Sequence, residues 1–201
     1  MGINLKDYGW EEVQATVPGE FFHIPAGAYV CKIVDAHFER VKDKGVALIC
    51  DIDIAEGEFT NYFVNLKRPD GSWNFNATFK RYVIKIPDRK VTSTFKGFVE
   101  LLERQNPHFH FNPENIEEKN FCGLVCGFVF INREYFGRDG KIYSAPTVKF
   151  PCDVKKVRAG EVKIPPDEKI PEEQRKQATT DAEVTAEEFN GTPVDDTDFP
   201  F

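Results

Sequence analysis

Residues 28–41 read AYVCKIVDAHFERV, residues 42–45 read KDKG, and residues 46–55 read VALICDIDIA. The first and last of these are rich in Val, Ile and Ala, the first with Tyr29 and Phe38 as well, and are long enough for strands, and the four between them form a turn. Leu48, Cys50, Ile52 and Ile54 alternate, imperfectly, with Asp51 and Asp53. That pattern is expected of an antiparallel hairpin with one face on a core and one wet.

Upstream, residues 1–22 read as an irregular arm, and IPAG at 24–27 is a turn. Downstream, two further short strands are expected around 62–66 and 73–86, with PDGS at 69–72 reversing the chain. The period then changes. Thr92, Ser93 and Thr94 offer N-caps, Phe95, Phe98, Val99, Leu101 and Leu102 follow at helical spacing, and QNP at 105–107 stops the helix. FCGLVCGFVFI at 121–131 is a strand, FGRDGK at 136–141 a turn, and 142–150 the returning strand. This order implies a mainly β domain at 23–160: a five-stranded OB-type Greek-key barrel with one helix between strands three and four. Beyond residue 150 apolar residues thin out and Pro151, Pro165, Pro166 and Pro171 appear, so the last strand is expected to fade into a stiff linker. Residues 161–201 are assigned to that linker and a tail, of which 177–201 read as disordered.

The chain has 201 residues, 41% hydrophobic and 29% charged, which is enough apolar material for one globular core. No apolar run approaches the roughly 18 residues of a membrane span, so no membrane partner is expected. MGINLKDYGW lacks the regions of a signal peptide, and five Cys without framework spacing suit a reducing interior; both point to a cytoplasmic protein. The net charge of −7 is unevenly placed. Residues 1–176 hold all 26 Lys and Arg and 26 of the 33 acids, whereas 177–201 hold seven acids and no base.

Within the neutral body, residues 61–96 carry eight cations against Asp70 and Asp88. Lys67, Arg68, Lys80, Arg81 and Lys85 are interleaved with Trp73, Phe75 and Tyr82. Cations follow phosphates and flat rings stack on unpaired bases, so the mixture points to single-stranded nucleic acid rather than a duplex. Trp73, just after the turn, is the ring expected to be exposed; Phe79 and Tyr82 are candidates to point inward, because a strand must bury one side. A second patch surrounds the later turn: Arg133, Tyr135, Phe136, Arg138, Lys141 and Tyr143.

Catalytic chemistry has weaker support. Asp51 and Asp53, with Glu56 and Glu58, could hold Mg²⁺ for a nuclease, but i, i+2 acids also mark a strand's wet face. His108, His110, Cys122 and Cys126 suggest zinc only faintly, because Cys in an apolar strand packs as a small hydrophobe. No cofactor and no enzyme activity are expected. The rival readings are the metal-dependent nuclease using Asp51 and Asp53 and a protein-interaction adaptor that binds no nucleic acid. Oligomeric state is left open.

The chain ends DDTDFPF. Terminal aromatic residues oppose solubility, so a merely solubilising tail does not account for them. An acidic stretch closing on an apolar residue and then Pro-Phe resembles the C-terminus of single-stranded DNA-binding proteins of bacteria and their phages, with Thr197 and Phe199 as departures from the bacterial pattern. IPAGAYVCKIVDA at 24–36, DIAEGEF at 53–59 and FKGFVELLERQNP at 95–107 resemble phage and prophage members. The resemblance implies an OB-type fold and coating of single strands in a bacterial host cell. It further implies that Asp195, Asp196, Asp198, Phe199, Pro200 and Phe201 dock proteins of replication, recombination or repair.

Overall fold

The computed structural model describes residues 24–41, 45–66, 80–87, 90–137 and 140–175. The arm at 1–22, the KDK turn, PDGS, Lys67, Arg68, Trp73, Phe75, Arg138 and the acidic tail lie outside the described residues.

Among the described residues five strands form one antiparallel sheet in the order β3-β2-β1-β4-β5, with β1 at Gly27–Val41, β2 at Gly45–Ile54, β3 at Arg81–Ile86, β4 at Val125–Phe136 and β5 at Ile142–Cys152. The long β1 serves two neighbours. Its first part, Gly27 to Lys32, pairs with β4, and its remainder pairs with β2. A register shift between Ile33 and Asp35 leaves Val34 without a β2 partner and marks a β-bulge, a device that bends a strand and increases its twist. The edge strands β3 and β5 lie against one another, an arrangement compatible with barrel-like closure.

The core is filled mostly from one face of the sheet. Cys31, Ile33, Leu48, Cys50, Ile52, Ile84, Phe128 and Phe130 are buried there. Helix α2, Ser93–Gln105, supplies Phe95, Phe98, Val99, Leu101 and Leu102 to the same cluster. It starts where expected, because the Thr92 hydroxyl accepts the Phe95 N–H at 3.2 Å. It stops at Asn106, whose amide donates to Leu102 O and Val125 O and whose Oδ1 accepts the Val125 N–H, all at 2.9 Å. One side chain therefore ends the helix and anchors the first residue of β4.

Several expectations are corrected. The strand expected at 62–66 is instead a helical turn, α1, at Tyr62–Asn65. The cause is Asp53, whose carboxylate accepts the N–H groups of Phe63 (2.9 Å) and Val64 (3.0 Å) and so satisfies donors that a helix start leaves unpaired. The described part of the third strand begins only at Arg81. Phe121 belongs to a 3-10 turn at Glu118–Phe121, and β4 starts at Val125.

The chain after β5 does not leave the body at residue 160. Helix α3, Val154–Arg158, is capped by the Asp153 carboxylate and packs against β1 and β4. Gly127 permits that approach: a methyl there would stand 2.8 Å from both the Cys152 carbonyl and a Val157 methyl. Residues 161–175 then return along β4. Glu168 forms a parallel bridge with Arg133, and Ile170 is buried. The segment read as a linker is thus held to the sheet as far as Arg175, because Ile170 and the acids around it find partners on β4.

Two carboxylates help to fix this return. The Glu168 carboxyl is held below the usual glutamate range, first by its hydrogen bond from Lys149 and then by the charges of Lys149 and Arg133. That of Glu134 is lowered first by the Ile170 N–H and then by Arg175. Groups with lowered folded values contribute fully above the free-glutamate value of about 4.3 and lose their contribution as pH falls through the lowered range. Hydrogen-exchange protection at the Glu134, Glu168 and Ile170 amides should therefore hold above the free-glutamate range and weaken as pH falls below it, while β1–β2 amides stay protected. Unchanged protection at pH 3 would show that these carboxylates do not hold the segment.

Candidate nucleic-acid interface

β4 outruns β1. β1 reaches only as far as Phe130, so residues from Ile131 to Phe136 continue with β5 as their ladder partner. The resulting hairpin closes with the Gly137 N–H on Lys141 O at 2.8 Å, and Gly140 takes φ 73°, a conformation costly for residues with a Cβ.

Directly opposite residues of an antiparallel pair share a face. Tyr135 faces Tyr143, with ring centroids 6.0 Å apart and planes 30° from parallel. The two rings are 39% and 44% exposed, and Arg133 lies on the same face two residues back. The other face of the tip carries Phe136 opposite Ile142, also exposed. Lys141 is exposed at the turn. The second patch read from the sequence is therefore gathered on one hairpin, Arg138 aside, with Arg133, Tyr135 and Tyr143 on one face and Phe136 on the other.

The first patch divides. On β3, Arg81, Val83 and Lys85 point away from the core, Val83 and Lys85 being exposed. Tyr82 points inward and packs between Phe98 and Phe128 at centroid distances of 5.2 and 5.4 Å. Burial pushes its hydroxyl up to about 12. Tyr82, expected to contact nucleic acid, is instead a core residue, because its ring is the one that packs against Phe98 and Phe128.

Lys80 is corrected too. It is 2% exposed, and its ammonium meets Asp51 Oδ2 at 2.7 Å. Arg81 Nε donates to the other oxygen of Asp51 at 2.9 Å, with its side chain 34% exposed. Asp51 and Asp53 are thus not a wet face: they are 7% and 4% exposed, one neutralising two cations and the other capping α1.

Among the described residues no group of three or more His, Cys, Asp and Glu side chains is placed to hold a metal ion. His108, His110 and Cys122 are exposed, whereas Cys126 is buried. Burial pushes the Cys50 thiol up to about 12 and the Cys152 thiol to about 11, and raises Cys31 and Cys126 as well. These four are packing groups rather than nucleophiles at neutral pH.

Sequence reasoning did not find the groove of about 1020 Å³ between the end of α2, the following loop, the start of β4 and α3. Two of its cations are already paired, Arg158 with Glu56 (3.1 and 2.5 Å) and Arg104 with Asp153 (3.9 Å). The contact between Glu56 and Arg158 spans 102 residues of sequence, so no local signal could have shown it. No described helix is long and apolar enough to cross a membrane. The chain matches no protein-family model, and no curated protein is found to be similar to it.

Proposed function

We propose that this chain binds single-stranded DNA during replication, recombination or repair, as a phage or prophage protein in a bacterial host, and that it performs no reaction. The observation that carries the reading is the projecting β4–β5 hairpin, with Tyr135, Tyr143, Phe136 and Ile142 exposed at its tip and Arg133, Lys141 and Lys149 along it. Soluble domains seldom expose so many large apolar side chains together unless something covers them. Rings offer stacking surfaces to unpaired bases and cations follow the phosphates.

An OB-type Greek-key barrel is the architecture that fits best. It is supported by β1 shared between β2 and β4, by β3 against β5, and by α2 between β3 and β4. In such barrels the loop joining the fourth and fifth strands commonly contacts oligonucleotides. Arg81 and Lys85 would continue the path along β3, and Lys67, Arg68, Trp73 and Phe75 would extend it. The acidic terminus, Asp195 to Phe201, would recruit other proteins of DNA metabolism.

Fluorescence titration of the full chain with labelled oligo-dT, duplex DNA and single-stranded RNA, with and without Mg²⁺, tests this. Oligo-dT should bind, and its affinity should fall steeply with salt. Duplex should bind weakly and no strand should be cut. Equal affinity for duplex, or absence of binding, would overturn the proposal, and Mg²⁺-dependent cleavage would favour the nuclease reading.

A further inference from the structure

The returning segment crosses the base of the same hairpin. Where β4 has outrun β1, its free edge is taken up by residues 166–170. The Glu168 N–H donates to Asn132 O at 2.9 Å, and the Glu134 N–H donates to Glu168 O at 2.8 Å. Asp167 accepts the Asn132 backbone N–H at 2.8 Å and its side-chain amide at 3.3 Å. Glu134 in turn accepts the Ile170 N–H at 2.9 Å and pairs with Arg175.

The charge consequence concerns Glu168. Its carboxylate lies between Arg133, at 3.5 Å, and Lys149, with which it forms a hydrogen-bonded ion pair. Arg133 shares a face with Tyr135 and Tyr143. A carboxylate bridging two cations beside exposed rings occupies the place a strand's phosphate would take, since both are oxyanions that accept charge-assisted hydrogen bonds. We infer that residues 167–170 form an autoinhibitory strap, in which Glu168 stands in for a phosphate until single-stranded nucleic acid displaces it. This rests on the nucleic-acid reading of the hairpin.

The strap is built to yield. Arg133 is 63%, Lys149 42% and Glu168 40% exposed, and ion pairs that exposed are worth little individually. A polyanion bringing several phosphates displaces such a contact, whereas a single small anion gains too little from it. Strap release frees both cations at once, so it sharpens the distinction between a strand and isolated anions.

The test compares the full chain with Glu168→Gln, which keeps the shape and removes the charge, and with Glu161→Gln, the same charge change at an exposed residue ahead of the strap. Thermal melts establish that all three fold. Glu168→Gln should bind oligo-dT about fivefold tighter than both others at low salt, because two exposed ion pairs no longer have to be broken. Its log affinity should fall more steeply with log salt, because in the wild type salt also loosens the internal ion pairs that the strand must break and so offsets part of the loss. Equal affinities and slopes for the two variants would overturn the strap. If no oligonucleotide binds any of the three proteins, the nucleic-acid reading fails, and the strap is then judged on a heparin column. Later elution of Glu168→Gln than of Glu161→Gln supports it, and co-elution overturns it.

Discussion

Replacing Tyr135 and Tyr143 together with Ala weakens oligo-dT binding by about a hundredfold while leaving the thermal midpoint nearly unchanged. Base–ring stacking is worth about 1–3 kcal/mol per base, so losing a two-ring platform removes about 2–6 kcal/mol, a range that includes the hundredfold equivalent of about 2.7 kcal/mol at about 1.36 kcal/mol per tenfold. The rings are 39% and 44% exposed and lie beyond the part of β4 that β1 covers, so the core loses little by their removal. The salt dependence should stay close to wild type, because no cation is lost. That separates this variant from Arg81→Ala/Lys85→Ala, which should flatten the salt slope. Titrations at several salt concentrations, beside a thermal melt, read both quantities. If the double tyrosine variant binds as tightly as wild type, the hairpin tip is not the stacking surface.

Asp51→Ala destabilises the fold by about 3–5 kcal/mol, the usual cost of removing one partner from a buried ion pair. The reason is the ammonium of Lys80, 2% exposed and 2.7 Å from the lost carboxylate. Arg81, 34% exposed, can turn toward water, but Lys80 cannot. A paired substitution distinguishes loss of the buried ion pair from general damage to the strand. Replacing both partners with apolar residues of similar size, Asp51→Leu with Lys80→Met, should recover most of the loss, since buried pairs and well-packed apolar substitutes are often of similar stability. Urea denaturation of the wild type and the two variants gives the comparison. If Asp51→Ala costs less than about 1 kcal/mol, water reaches Lys80 and the pair is not a buried one. Mg²⁺-dependent cleavage lost on Asp51→Asn would instead favour the nuclease.

The mainly β class, the hairpin of β1 and β2, the helix from residue 93 to 105 and the β4–β5 pair could all be read from residue order. Each rests on a local cause: strand formers around a turn, five apolar residues at helical spacing after Thr92, and glycine where the last hairpin reverses. The patch at 133–143 was legible for the same reason, since a hairpin brings neighbours in sequence together in space. Which face each residue takes was not legible. Alternation says that Tyr82 and Arg81 point in opposite directions, but only the packing of Phe98 and Phe128 says that Tyr82 is the one inside. The acids misled because a carboxylate's role depends on what the fold brings to it. Asp51 meets Lys80 and Arg81 across 29 and 30 residues, and Asp53 meets the start of α1 across 10. Composition likewise could not reveal that residues 161–175 return to β4. Proline and charge measure how poorly a segment makes a core of its own. Whether it is held depends on partners elsewhere, here the Asn132–Glu134 edge that β1 leaves uncovered, and that edge exists only once the strands have paired.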